Sequence, residues 1–166
     1  MTELSDRFAL PLLSAGQAQK ELYHNEALAA LDLLVHTAVE EHGLDTPPSA
    51  PAAGQCWIVG PSPTGAWTGH VGALAGWTGG GWRFVAPRAG MVVWDAGSGY
   101  PLHHDGSGWV DGTLVASSLK IGGVQVVGSQ QTAIPDPTGG GVVDGEARTA
   151  IGLILDVLRM HGLIDT

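Results

Sequence analysis

The sequence predicts an α+β fold: an N-terminal helix, a small Gly- and Trp-rich antiparallel β module built from repeated hairpins, and a C-terminal helix in an oligomeric bundle. Three observations carry that expectation. All six Trp fall between Trp57 and Trp109, together with half of the 26 Gly. Before that stretch, Leu28, Leu31, Val35 and Ala38 recur at the 3-4-3 spacing of one helix face. After it, Asp144 heads about twenty residues whose apolar positions cover two helix faces.

The N-terminal helix is expected over 15–42. Ser14 and Gln17 have the form of a capping box, Gly43 suits the position just past a helix end, and Pro47-Pro48 prevents continuation. Leu22, Ala27, Leu34 and Val39 widen the apolar face, so the helix is expected to be buried on more than one side. Residues 46–53 (TPPSAPAA) read as a linker.

The middle holds a loose repeat of a short apolar run, a Gly-rich turn and a Gly-aromatic pair. Gly54–Gly60 leads to Gly65-Ala-Trp67, Gly72–Trp77 to Gly81–Val85, and Gly90–Asp95 to Asp105–Val110. Runs this short, rich in Val and Trp and bounded by Gly, are strands joined by tight turns. Residues 113–134 are again β-prone, and Ile134-Pro-Asp-Pro137 must be extended because a residue before Pro avoids the α region. In the second helix the acids Asp144 and Glu146 stand at the N-terminus and Arg159 and His161 near the end, as the helix dipole favours, with Gly162 as cap. Three segments are therefore expected: a helical oligomerisation and docking segment 1–45, a Gly/Trp-rich β module 46–112, and a β-prone segment with the C-terminal helix over 113–166.

Composition narrows the function. With 44% hydrophobic and 14% charged residues the chain is folded. It is also short of the charge that solvates a monomer's surface, so other subunits are expected to cover part of it. A net charge of −9 with no basic run excludes a nucleic-acid binder, which needs clustered cations. Cys56 is the sole cysteine, so there is neither an intrachain disulfide nor a Cys-based zinc cluster. The N-terminus has no secretory pattern, which points to synthesis in the cytoplasm without a signal peptide. No run of about 18 apolar residues marks a membrane span.

No catalytic residue, cofactor or metal site is expected. His24, His36 and His42 are not one helical turn apart, and His103 and His104 would point to opposite faces of a strand. His104 beside Asp105 falls short of three or four convergent ligands. Asp95, Asp105 and Asp111 adjoin turn glycines and read as turn formers, and Cys56 as a small core residue. Most of the Trp are expected in a core, because large aromatics bury much area. Exposed Trp faces also stack on the apolar faces of sugar rings. The candidate glycan contacts are Trp67, Trp77 and Trp94, with Tyr100, His70 and His103 nearby.

The stretch Leu10-Pro-Leu-Leu-Ser-Ala-Gly-Gln-Ala-Gln-Lys-Glu-Leu-Tyr-His-Asn-Glu-Ala-Leu28 closely resembles the opening of an uncharacterised, phage-associated domain family of alphaproteobacterial prophages and gene transfer agents. The likeness continues through Pro47–Pro51, Gly54-x-x-Trp-Ile-Val-Gly60, Gly65-Ala-Trp67 and Gly81–Pro87. The ending, from Ile134–Pro137 through Asp144-x-Glu-Ala-Arg148 to Leu158–Leu163, is similar to a tail-piece of phage tail and fibre proteins.

The resemblance implies a structural component of a phage-like particle or gene transfer agent: a head spike, fibre or tail-tip subunit found in the virion. It would either contact host surface polysaccharide itself or anchor a separate fibre. Its partners would be further copies of itself and other capsid, fibre or tail proteins. A trimer is the first expectation and a pentamer the second, with Leu28, Leu31, Val35, Ile151, Ile154 and Leu158 at the interface. The alternatives are a stand-alone carbohydrate-binding module, or a capsule-degrading enzyme using Asp95, Asp105 and His104.

Overall fold

The computed structural model describes residues 3–14, 16 and 20–165. They form two compact units, Met1–Thr113 and Leu114–Thr166. The architecture is α+β, with an N-terminal helix, a hairpin-rich β region and a C-terminal helix.

Two antiparallel meanders make up the β part of the first unit. In one, β3 (Cys56–Val59) pairs with β4 (Leu74–Thr78), and β4 pairs with β5 (Gly81–Val85) across a two-residue Gly79-Gly80 turn. In the other, β6 (Val92–Asp95), β7 (Tyr100–His104) and β8 (Trp109–Asp111) follow in order. What joins them is the chain just after the first helix. There β1 (Ala38–Val39) lies parallel to β6, and β2 (His42–Leu44) lies parallel to β3. Thr37 and Val39 accept from the Trp94 and Ala96 amides at 2.8 and 2.9 Å, while Glu40 donates to the Cys56 carbonyl at 2.8 Å. The β region is therefore mixed rather than purely antiparallel.

This pairing corrects the helix expected over 15–42. Helix α1 runs Lys20–Leu34, and Gln17 of the expected capping box lies outside the described residues. The chain turns at His36, which takes φ 43°, a left-handed value uncommon for a residue with a side chain. Beyond it Thr37 and Val39 are β-branched, and extended backbone there gains two sets of ladder bonds that a longer helix would forfeit. Gly43 is not a helix cap but a β2 residue at φ 75°.

The end of α1 is capped from a distance. Arg7 donates to the carbonyls of Asp32 (2.5 Å), Leu33 (3.3 Å), Val35 (3.1 Å) and His36 (3.1 Å), which have no partner within the helix. A cation there also complements the negative end of the helix dipole. In return the buried Asp32 carboxylate accepts from the Arg7 and Phe8 amides, both at 2.8 Å. Glu26 holds Arg83 of β5 through two hydrogen bonds of 2.9 and 2.8 Å. Leu33, 1% exposed, sits on β4 at Gly76, where a Cβ would come within 2.2 Å of its Cδ2.

The supposed linker is tied down at both ends. Gly54 donates to the Trp77 carbonyl at 2.8 Å, and Asp45 accepts from the Ser62 amide at 2.8 Å. Residues 1–45 and 46–112, expected as separate segments, fold as one unit, because β1 and β2 find their partners in the later segment.

The first unit holds two apolar cores. One gathers Leu33, Val39, Cys56, Ile58, Leu74, Val93 and Leu102, flanked by Val85, Tyr100 and Trp109. Trp109 Nε1 ties the second meander to the first by donating to the Gly72 carbonyl at 2.8 Å. The other core lies on the opposite face of the first meander and is aromatic.

In the second unit, β9 (Leu119–Ile121) and β10 (Val124–Val127) form a hairpin around Gly122-Gly123, both with positive φ as a tight two-residue turn requires. Helix α2 runs Gly145–Met160. Its N-cap Asp144 accepts from the Ala147 amide at 2.8 Å. At the other end Gly162 donates to Arg159 and Leu163 to Leu158, a left-handed glycine cap. No helix among the described residues is long and apolar enough to cross a membrane.

Candidate functional site

The six candidate glycan contacts separate into three environments. Trp67, His70 and Trp77 belong to the aromatic side of the first meander. Residues two apart on a strand share a face, so Trp57 with Val59, Ala75 with Trp77, and Trp82 with Phe84 all point to that side. The 3-10 turn Gly65–Trp67 lays Trp67 over them.

Trp67 is fully buried, which corrects its choice as an exposed contact. Its ring lies 5.2 Å from Trp82 and 6.3 Å from Trp57, near edge-to-face with the first. Trp77 is half-buried and set edge-on to Trp82 at 5.1 Å. His70 stacks on Phe84 at 3.7 Å with planes 4° apart, so one face of its imidazole is already taken. These rings are committed to one another. The signal in the sequence is the two-residue Gly79-Gly80 turn, which sets Trp77 opposite Trp82 on one face.

Tyr100 belongs to the inner core. It is half-buried against that cluster, and its hydroxyl donates to Asp111 Oδ2 at 3.3 Å.

Trp94 and His103 lie together on the outward face of the second meander. Burial alternates along β6, with Val92 and Trp94 exposed and Val93 and Asp95 buried. Along β7, Pro101 and His103 point the same way as Trp94. Register sets Ala38, Trp94 and Pro101 in one row across three strands, and Val92, His103 and Val110 in the next. Trp94 is 49% exposed and Val92 61%. A shallow depression of ≈ 370 Å³ lies beside the indole, lined by His36, Thr37, Val92, Val93, Trp94 and Pro101. Thr37 is spoken for, since its hydroxyl donates to the Leu33 carbonyl. The imidazole of His36 is exposed. An open indole face with imidazoles at its margins can stack on an apolar ring surface and exchange hydrogen bonds with hydroxyls. His36 was missed as a member because it was read as a helix residue.

The carboxylates do other work. Asp95 is 1% exposed and accepts from His42 Nδ1 at 2.5 Å, Ser98 Oγ at 2.7 Å and the Gly97 amide at 2.9 Å. Burial by itself would push its carboxyl up, but the hydrogen bonds from Ser98, His42 and the Gly97 and Ser98 amides outweigh burial and hold it below the ordinary 3.8. Asp105 is a turn residue: the Ser107 and Gly108 amides donate to its Oδ1 at 2.7 and 2.9 Å and lower its carboxyl.

His104 is buried edge-on to Trp109 at 5.3 Å. Asp95 pairs with Tyr100, four residues along β7 from His104, so the two lie about 13 Å apart at strand rise. Asp95, Asp105 and His104 do not converge on one substrate bond. Among the described residues no three of His, Cys, Asp and Glu are grouped to hold a metal.

The residues expected at an oligomer interface are largely open. On α1, Leu31 is 51% exposed and Leu28 half-buried, while Leu33 faces the core; Val35, in the turn just past the helix, is 44% exposed. On α2, Ile151 is 44% and Ile154 59% exposed, Leu158 is half-buried, and the buried position is Leu155.

Residues 24–110, which carry all of these aromatic and imidazole groups, match the family described as "Protein of unknown function (DUF2793)". No curated protein matches the chain.

Proposed function

We propose that this chain, which belongs to the DUF2793 family of proteins of unknown function, is a structural component of a phage-like particle or gene transfer agent. In this reading it is a head spike, fibre or tail-tip subunit that contributes to attachment to host surface polysaccharide. It works as a homo-oligomer alongside other particle proteins. The observation that carries the attachment role is Trp94: a half-exposed indole on the open face of the second meander, beside a shallow depression and next to His36 and His103. A large aromatic left open on a rigid strand exposes apolar surface to water that a ring-shaped ligand would cover. The particle assignment is supported by the resemblance of Leu10–Leu28 and of the C-terminal tail-piece, and the subunit role by the open apolar surface of the second unit.

The test is binding of the purified chain to host capsule polysaccharide, compared with Trp94→Ala and His103→Ala. Parent binding should fall at least tenfold in Trp94→Ala, about 1.4 kcal/mol. Particles lacking the protein should attach less. No binding by the parent, together with undiminished attachment of such particles, sinks the proposal.

A stand-alone carbohydrate-binding module is the second reading, favoured by the first unit's having two cores of its own. Presence or absence of the protein in purified particles separates the two.

A further inference from the structure

We infer that the open face of α2 is a self-association seam, on which a second copy of this chain seats its own α2. The inference rests on the reading of the chain as an assembly subunit and names the partner and the surface.

Within its own unit α2 uses a single stripe. Arg148, Gly152, Leu155 and Arg159 follow 4-3-4 spacing and, with Leu158 beside them, are the residues turned inward. The two arginines clamp an extended strap along that stripe. Arg159 donates to the Ile134 carbonyl at 2.7 Å and pairs with Asp136 at 3.1 Å, and Arg148 donates to the carbonyls of Pro137 and Gly139.

The opposite side of the helix has a different pattern. Ala147, Ala150, Ile154, Val157 and His161 repeat at 3-4-3-4 spacing, the spacing of a coiled-coil seam. Leu153 and Met160 flank them. Ile154 is 59%, Val157 47%, Leu153 63% and Met160 76% exposed. Only Glu146 stands near this face, at its N-terminal rim. From Ala147 to Met160 the face carries no charge.

The choice of a second copy as occupant rests on charge and on area. The second unit has three Lys and Arg against five Asp and Glu, a net −2, while the first has four against eleven, a net −7. Copies meeting through α2 thus bring together the nearly neutral part of an acidic chain. An uncharged seam also suits its own duplicate without repulsion.

As for area, the second unit buries only Leu155 and Ile164 among its large apolar side chains, and sixteen others among the described residues stay at least 40% exposed. At roughly 50 Å² of open apolar surface each, about half of what a buried aliphatic side chain removes from water, the four on the seam, Leu153, Ile154, Val157 and Met160, open about 200 Å², and all sixteen about 800 Å². A standard interface takes about 800 Å² from each partner, so the seam is the centre of the contact and the unit's other open apolar side chains must widen it. The β9–β10 hairpin of the same unit has every strand residue exposed and is a two-stranded sheet, marginal in isolation. A unit with so small a core gains apolar burial when copies join.

The experiment is the solution mass of the full chain at micromolar concentration, by light scattering, for the parent and for the double variant Ile154→Glu with Val157→Glu. The parent should be a multimer and the variant a single chain, with unfolding of the first unit, followed by Trp fluorescence, unchanged. A variant that keeps the multimer mass overturns the seam while leaving an assembly subunit. A single-chain parent overturns both.

If the double variant does not fold, Ile154→Cys replaces it. Ile154 is at the middle of the seam, so its counterparts meet whichever way the helices run. Mild oxidation should cross-link it, while Asp156→Cys, off the seam, should not cross-link. Equal cross-linking of the two, or none at Ile154→Cys, overturns the inference.

Discussion

His42 Nδ1 lies 2.5 Å from Asp95 Oδ2, and this contact bridges the two meanders at the point where the chain passes from one to the other. His42 belongs to β2, paired with β3, and Asp95 ends β6, paired with β1. The carboxylate is held low by hydrogen bonds that outweigh its burial. Its unfolded value is higher, so it contributes stability in full well above pH 3.8, and that contribution is lost as pH falls through the lower folded value. All six Trp lie in the first unit, so Trp fluorescence reports its unfolding alone. Asp95→Asn should lower the unfolding free energy by about 1–3 kcal/mol near neutral pH and flatten the acid side of the profile. An acid slope equal to the parent's counts against this account.

Gly76 and Leu33 should behave as a coupled pair. Gly76→Ala places a methyl where Leu33 Cδ2 sits and should cost about 1–3 kcal/mol by overpacking. Leu33→Ala alone should cost about 2–5 kcal/mol. The double variant should be less destabilised than the two singles added together, because truncating Leu33 makes room for the methyl. Strict additivity in urea midpoints would show that the two side chains do not compete for one space.

Trp67 and Trp94 should separate stability from recognition. Trp67→Ala should destabilise the first unit by about 3–5 kcal/mol, since the ring is fully buried among Trp57 and Trp82. Trp94→Ala should shift stability far less while removing most of the emission accessible to a collisional quencher. Comparable losses of stability in the two variants would contradict the placement of Trp94 on an open face.

Cys56 should be silent toward thiol reagents until the fold opens. Burial, opposed by Arg7 and reinforced by Glu40 and Asp32, pushes its thiol up to about 11. At about pH 8.5, where an open thiol is half ionised, the native chain should react only as fast as the first unit opens. Urea beyond the transition should release one thiol per chain. Immediate reaction without denaturant would refute the burial.

Much of this was legible residue by residue. The Gly-Gly turns, the Asp144 cap, the Gly162 cap and the short Val- and Trp-rich strands are written in contiguous residues, and the energetics that select them are local. The apolar excess of α2 was equally plain, because amphipathic balance is a property of one segment. Residues 38–44 were not legible in the same way. They continue a helical apolar pattern, and they become strands only because β3 and β6, about 15 and 55 residues further on, offer ladder bonds a helix cannot match. Arg7 as a cap for α1, the seat of Leu33 on Gly76 and the burial of Trp67 are likewise meetings of residues distant along the chain. The Gly- and Trp-rich region between two helices followed from composition and periodicity. Which indole faces water depended on how two meanders were spliced, since a side chain's exposure is set by what packs over it and not by its neighbours in the chain.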